Sequence, residues 1–325
     1  MDNKGKYDSP FKATLKGIAD LYGKKASSVV MPENINLEGK TVLITGSSAG
    51  LGFAAANRIA QAGANLIMAV RSGIPEKGEE IKKATGNLNI SMYHIDLLDF
   101  ESINSMLENI EKDGIKVDIL ISNAAMVPLK SRQTPQGLEE MFMVNYLAPF
   151  YLINKLILRN IIKTASSKII IVSSESHRNA SDFEWKKFGK YDEYGIKETV
   201  SRYGYYKLFL TTFANELSRR ISAQNYQIPI RVLCPGPVNS NIAREAPGWM
   251  QPILKGVFSL FFKSPQKASD PIMYFVSENN ARKKIDYLFL MQPKAMDEKA
   301  VNEANGLKLW EVSERLIKKL GFQMM

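Results

Sequence analysis

Cysteine and histidine are almost missing from this chain. Its 325 residues include one cysteine, Cys234, and two histidines, His94 and His177. A lone thiol forms no intramolecular disulfide, and neither a multi-cysteine nor a histidine-rich metal centre can be assembled. A Ser-His-Asp hydrolase would have to be built on one of those two imidazoles. Long apolar runs are also scarce. The greasiest stretches, Val144–Leu158 and Trp249–Phe262, are each interrupted by Pro and Lys, short of the roughly 18 apolar residues of a membrane span. The opening residues MDNKGKYDSP lack the apolar segment of a secretory leader. The expectation is an intracellular protein, cytoplasmic or peripherally membrane-associated.

What is present suits a large core: 45% of residues are hydrophobic and 23% charged, which excludes a disordered chain. Lys and Arg number 43 against 33 Asp and Glu, a net charge of +10. The excess is spread along the chain rather than gathered in a block, so it reads as solvated surface, and no nucleic-acid partner is expected.

Strand-length apolar runs alternate with amphipathic helical patterns. KTVLITG, NLIMAV, NISMYHI, VDILISN, SKIIIVSS, IPIRVLC and IDYLFLM read as strands, several apolar throughout, as strands covered on both faces are. The βαβ alternation predicts an α/β fold, a single doubly wound, Rossmann-type parallel sheet with helices on both faces, over residues 36–325. Residues 1–35 form an N-terminal extension, in which Phe11, Leu15, Ile18 and Tyr22 recur at helical spacing after Ser9-Pro10. That short helix packs on the domain, lies on a membrane surface or meets a partner.

Directly after the first strand comes Thr45-Gly46-Ser47-Ser48-Ala49-Gly50-Leu51-Gly52. Glycines allow the tight turn and close approach that place a pyrophosphate at a helix N-terminus. Arg71 and Ser72 follow the second strand, where an NAD-preferring site carries a carboxylate. A cation beside a hydroxyl suits the 2′-phosphate instead, so NADP(H) is preferred over NAD(H). Asp96, with Leu97 beside it, follows the third strand at the position for an adenine contact. Asn123 and Ala124 follow the fourth, where small residues let the chain pass near a ribose.

Two Tyr-x-x-x-Lys pairs occur, Tyr151/Lys155 and Tyr203/Lys207. At this spacing both side chains share one helix face. A phenol with a reference pKa near ~10 becomes a usable acid/base when an ammonium favours its ionised form. Tyr203 follows the strand ending in Ser173 and Ser174, at the sheet edge where ligands bind. Tyr151 lies within an apolar stretch with no such strand before it and reads as packing. Tyr205 and Tyr206 read as core or pocket wall, Cys234 as a buried thiol, and His177 as a candidate for the pocket mouth.

In order, TGSSAGLG, NAA at 123–125, Asn145 in VNYLAPF, Ser173-Ser174, YGYYK and Pro235-Gly236 in LCPGPVNS resemble the short-chain dehydrogenase/reductase family. MAVRS, SSESHR and LWEVSERLIKKLG look most like its branch of retinol dehydrogenases and WW-domain oxidoreductases. The resemblance implies Tyr203 as general acid/base, Ser174 orienting a carbonyl, Lys207 binding the ribose and lowering the phenol, and Asn145 anchoring a relay water. It implies that Gly46, Gly50 and Gly52 cradle the pyrophosphate and that Pro235, Gly236, Val238 and Ser240 run past the nicotinamide. Two departures are Asn-Ala-Ala for the usual Asn-Ala-Gly, and Leu147-Ala148-Pro149 for the frequent Leu-Gly-His.

The 29-position step from Ser174 to Tyr203 is rich in aromatic and basic residues and predicts a lid or wall. The apolar stretch from Trp249 to Phe262 predicts a lid over a lipophilic alcohol or carbonyl compound, a core helix or a membrane-facing patch. Alternatives for the activity are reduction of a ring C=C bond, as in protochlorophyllide reductases, and an NADPH-binding scaffold without turnover. A homo-oligomer is compatible with the sequence.

Overall fold

The computed structural model describes residues 28–162, 167–236, 264–278 and 286–324. Among these, strands β1 (Thr41–Thr45), β2 (Asn65–Val70), β3 (Ile90–His94), β4 (Ile119–Ser122), β5 (Lys168–Val172), β6 (Ile230–Cys234), β7 (Asp286–Phe289) and β8 (Gln292–Pro293) form one sheet. Their order is β3-β2-β1-β4-β5-β6-β7-β8. All neighbours pair in parallel except β7 with β8. The short antiparallel edge was not anticipated, because two residues carry no periodic signal.

Helices α1 (Gly50–Gln61), α2 (Glu76–Thr85), α3 (Phe100–Lys112), α4 (Glu140–Leu158), α5 (Ile196–Ala223), α6 (Pro265–Ala268), α7 (Asp270–Ser277), α8 (Glu298–Val301) and α9 (Glu303–Lys319) surround the sheet. Successive strand residues point to opposite faces. Val42 and Ile44 of β1 therefore join one core with Ile59 of α1 and Phe275 of α7. Leu43 joins the other, with residues of α3, α4, α5 and α9. Each buried Leu or Ile contributes roughly 1.5–3 kcal/mol, which is why these strands read as unbroken apolar runs. The strand order reverses between β1 and β4, and this crevice at the carboxyl ends is where open sheets of this kind take ligands.

Helix α4 corrects one expectation. It is 19 residues long and apolar enough to cross a membrane, yet 89% of its apolar window is buried, so it is a core helix. Helix α9 covers it: Tyr146 shares a 2.5 Å hydrogen bond with Ser313, and Trp310 meets Phe150 edge-on with centroids 5.0 Å apart. Upstream, Val29, Met31 and Ile35 pack on the α1 side of the sheet. The expected helix over Phe11–Tyr22 lies outside the described residues.

Candidate active site

The loop from β1 to α1 is closed tightly by its glycines. Gly46 has a φ of +67° and Gly50 of +56°, values that favour glycine. A Cβ on Gly46 would lie 2.8 Å from Ala124 Cα, and one on Gly52 only 2.3 Å from the Gly46 carbonyl oxygen. Asn123 secures the loop from below, its Nδ2 donating to the Thr45 carbonyl at 2.9 Å and the Gly46 carbonyl at 3.2 Å. Thr45 Oγ1 accepts from the main-chain N–H groups of Asn123 and Ala124. Thr45 was not singled out from the sequence, although it stands at the head of the glycine motif. Ser47 is buried and donates to the Ile44 carbonyl at 3.3 Å, while Ser48 and Leu51 are half-buried.

The N-terminus of α1 carries Ala49 as its cap, with no side-chain oxygen bonded to its amides and no acidic residue in its first turn. Its amide donors and positive dipole end are therefore left to an anion. Arg71 and Ser72 are exposed at the end of β2, and Arg71 has no hydrogen-bond or ion-pair partner among the described residues. The following Gly73 lies close to Ser48, which ties this edge to the glycine loop. Asp96 uses Oδ1 to accept from the Leu98 amide at 3.0 Å, and Leu97 is buried beside it.

At the end of β5 the serine, tyrosine and lysine come together. Ser174 takes an extended backbone and starts a 3-10 turn, Glu175–Asn179. Tyr203 of α5 stands beside the Ser174 side chain. Lys207, one turn on, is 1% exposed, with Nζ 5.6 Å from the Tyr203 ring centroid and donating at 2.9 Å to the Val172 carbonyl. Below them Ser173 and Thr211 share a 2.7 Å hydrogen bond between β5 and α5. Burial, and after it the Cys234 thiol, push the Tyr203 phenol well above its ordinary value, with the Ser174 side chain acting weakly the other way. Burial pushes the Lys207 ammonium down to about 8. Desolvation of both groups opposes the lowering of the phenol expected from Lys207.

Asn145 is fully buried in a π-helical turn, Met143–Leu147, inside α4. Its Oδ1 accepts from the Met126 amide at 2.9 Å and its Nδ2 donates to the Met126 carbonyl at 2.8 Å. Pro149 has no N–H, so the Asn145 carbonyl lacks an α-helical donor four residues on. The sequence departure at Leu147-Ala148-Pro149 therefore coincides with the π turn.

Tyr151 is 1% exposed, donates to Asn104 Oδ1 at 2.9 Å and packs on Phe100, away from Ser174. Tyr205 and Tyr206, with Phe142, Phe188 and Phe209, wall a cavity of about 250 Å³ that does not include Tyr203. Within the connection to α5, Phe183 stacks between Trp185 and Phe209, its centroid 4.5 Å and 5.5 Å from theirs. Cys234 is a buried thiol, pushed up to about 11 by burial. His177 is also fully buried. Pro235 and Gly236 follow β6, and Gly236 has a φ of +80°, where a Cβ would sit 2.3 Å from the end of the Leu290 side chain. Val238, Ser240 and the Trp249–Phe262 stretch lie outside the described residues.

The family model described as short chain dehydrogenase matches residues 40–185. Retinol dehydrogenase 13 of Homo sapiens is 31% identical over 317 residues, covering 94% of this chain and 92% of that protein. The WW domain-containing oxidoreductase of Homo sapiens is 28% identical over 328 residues, covering 97% and 77%. Among solved structures, an uncharacterised protein from Mycobacterium paratuberculosis aligns with a TM-score of 0.69 at 24% identity, over 90% of this chain and 98% of that one. NADPH-dependent 3-quinuclidinone reductase from Rhodotorula rubra aligns with a TM-score of 0.56 at 20% identity, over 82% and 96%. These two share the fold. Identity above 30% across nearly the whole length, on a sheet with a glycine-turn crevice at its strand reversal, leads to one conclusion: the chain belongs to the short-chain dehydrogenase/reductase family of nicotinamide-dependent oxidoreductases.

Proposed function

We propose that this protein interconverts a lipophilic carbonyl compound and its alcohol with NADP(H), using Tyr203 as general acid/base. The observation that carries the reading is the convergence of three groups on one strand end: the Tyr203 side chain beside Ser174, with the Lys207 ammonium below the Tyr203 ring.

The residues present fit the dinucleotide. A cradle that a Cβ would fill at Gly46 and Gly52, beside an α1 N-terminus without a side-chain cap, accommodates a pyrophosphate against Gly46, Ser47, Ser48, Gly50, Leu51 and Gly52. Arg71 and Ser72 suit a 2′-phosphate, Asp96 and Leu97 the adenine, and Asn123 and Ala124 the adjoining ribose. Tyr203, Lys207, Pro235 and Gly236 suit the nicotinamide end. When bound, the nicotinamide supplies or accepts the hydride.

The chain's own residues manage the proton. The high phenol of Tyr203 stays protonated and donates to the carbonyl oxygen as it gains charge, while the Ser174 hydroxyl orients that oxygen. Lys207, anchored on Val172, holds positive charge beside the phenol. With its side chain spent on Met126, Asn145 offers its main-chain carbonyl to a relay water.

The relatives support a lipophilic substrate, since one carries the name retinol dehydrogenase. The test is NADPH oxidation with all-trans-retinal, a steroid ketone, decanal and a quinone, run beside Tyr203→Phe. Turnover on at least one, abolished in Tyr203→Phe with NADPH binding retained, is expected. Unchanged turnover in that variant overturns the assignment.

A further inference from the structure

Neither imidazole nitrogen of His177 is free. Nδ1 lies 2.7 Å from the main-chain carbonyl oxygen of Ser174. Nε2 accepts from the main-chain N–H of Asp297 at 3.2 Å. A carbonyl only accepts and an amide only donates, so these partners select the neutral tautomer with the proton on Nδ1. The ring stands edge-on to Tyr287, with centroids 5.6 Å apart at 80°. His177 therefore bridges the Ser174 peptide to a segment 120 positions later in the chain.

That segment, residues 294–299, grips the same turn at three more points. Lys294 Nζ pairs with Glu175 Oε2 at 2.7 Å. Arg178, which also pairs with Glu175, donates to the Ala295 carbonyl. Lys299 Nζ donates to the Ala180 carbonyl at 2.5 Å. The flanking contacts use exchangeable charges near the surface, whereas the His177 bridge is buried and reaches the Ser174 peptide itself. A ring with a donor on one edge and an acceptor on the other is what such a bridge needs.

We propose that His177 is the positioning residue of Ser174, holding its peptide so that the hydroxyl meets Tyr203, with Asp297 and the 294–299 segment as its support. The proposal rests on reading Ser174 and Tyr203 as the reacting pair. It makes the end of the chain a determinant of geometry at β5, because rotation of the Ser174 peptide would move its hydroxyl away from Tyr203. Ser176 completes the hold, donating from Oγ to Ser174 Oγ at 2.8 Å.

The test joins a spectroscopic readout to a kinetic one. In the wild-type protein, nitrogen-15 NMR of the imidazoles is simple, because His94 is the only other one. The buried ring is expected as the Nδ1–H tautomer at neutral pH, and an Nε2–H tautomer or an imidazolium there overturns the bridge. His177→Phe keeps a ring against Tyr287 but loses both bonds, while His177→Asn keeps a donor toward the Ser174 carbonyl. With NADPH and all-trans-retinal or decanal, His177→Phe is expected to lower kcat about tenfold or more, with KM and NADPH affinity little changed. His177→Asn is expected to recover most of the loss. Equal impairment in both variants, or a loss in KM alone, overturns the positioning role. A dead Tyr203→Phe enzyme beside a fully active His177→Phe enzyme overturns this proposal alone. Retained turnover in Tyr203→Phe removes the reading beneath it, while the tautomer result stands by itself.

Discussion

Gly204 of α5 lies against the Ser176 carbonyl so closely that a Cβ there would sit 2.7 Å from the oxygen. Glycine inside a helix costs about 1 kcal/mol relative to alanine, and here the close approach is what that cost secures. It lets the face bearing Tyr203 and Lys207 close on the turn that begins at Ser174. Gly204→Ala is expected to gain helix propensity yet force α5 from the turn, at about 1–3 kcal/mol of overpacking. Turnover should fall about a hundredfold as the Tyr203–Ser174 contact opens, with NADPH affinity changed far less. Steady-state kinetics and fluorescence titration separate the two, and full activity would show that α5 retreats harmlessly.

Lys207 carries a pH prediction. Burial holds its ammonium down to about 8, so its positive charge is present below that pH and lost as pH rises through it. Reductive kcat/KM should be level below about 8 and decline above it, because the charge beside the Tyr203 phenol disappears. A pH–rate profile checks this. Lys207→Met should remove the limb and lower turnover by about a hundredfold or more.

Arg71 is exposed at the β2 edge, with no ion pair among the described residues, so its replacement disturbs little packing. Arg71→Asp is expected to raise the Kd for NADPH about ten- to hundredfold through the lost charge-assisted hydrogen bond. NADH should bind as well or better. Parallel titrations decide it, and an unchanged NADPH-to-NADH ratio would mean that Arg71 does not meet the phosphate.

His177 links the site to acid stability. Burial lowers its imidazole from 6.5 to about 4. Arg178 also opposes its charge, while Glu175, Asp297 and the Ser174 carbonyl favour it, and Tyr287 faces the ring without charge. The unfolded chain takes up the proton first, so stability falls as pH drops from 6.5 toward 4, by up to about 3 kcal/mol. Urea unfolding at pH 7 and pH 4.5 should show a smaller pH effect in His177→Phe than in wild type. Equal slopes would contradict the buried neutral ring.

Local chemistry was enough to read the frame from the sequence. Continuous apolar strands such as KIIIV require cover on both faces, the glycines of TGSSAGLG announce a turn too tight for side chains, and i, i+4 spacing puts Tyr203 and Lys207 on one helix face. These signals are short-range and survive without knowledge of packing. Tertiary structure decided what depends on burial and on partners distant in the chain. It sets a desolvation of Tyr203 that works against the expected lowering of its phenol, because desolvation depends on everything packed around α5. It turned the Asn145 side chain onto Met126 and explained the helical glycine at 204 by a backbone oxygen 28 positions earlier. It also placed His177, a candidate for the pocket mouth, in a buried bridge with Asp297. Sequence spacing carries the groups that react, whereas the groups that hold them in place are defined by contacts formed only when the sheet and the end of the chain fold together.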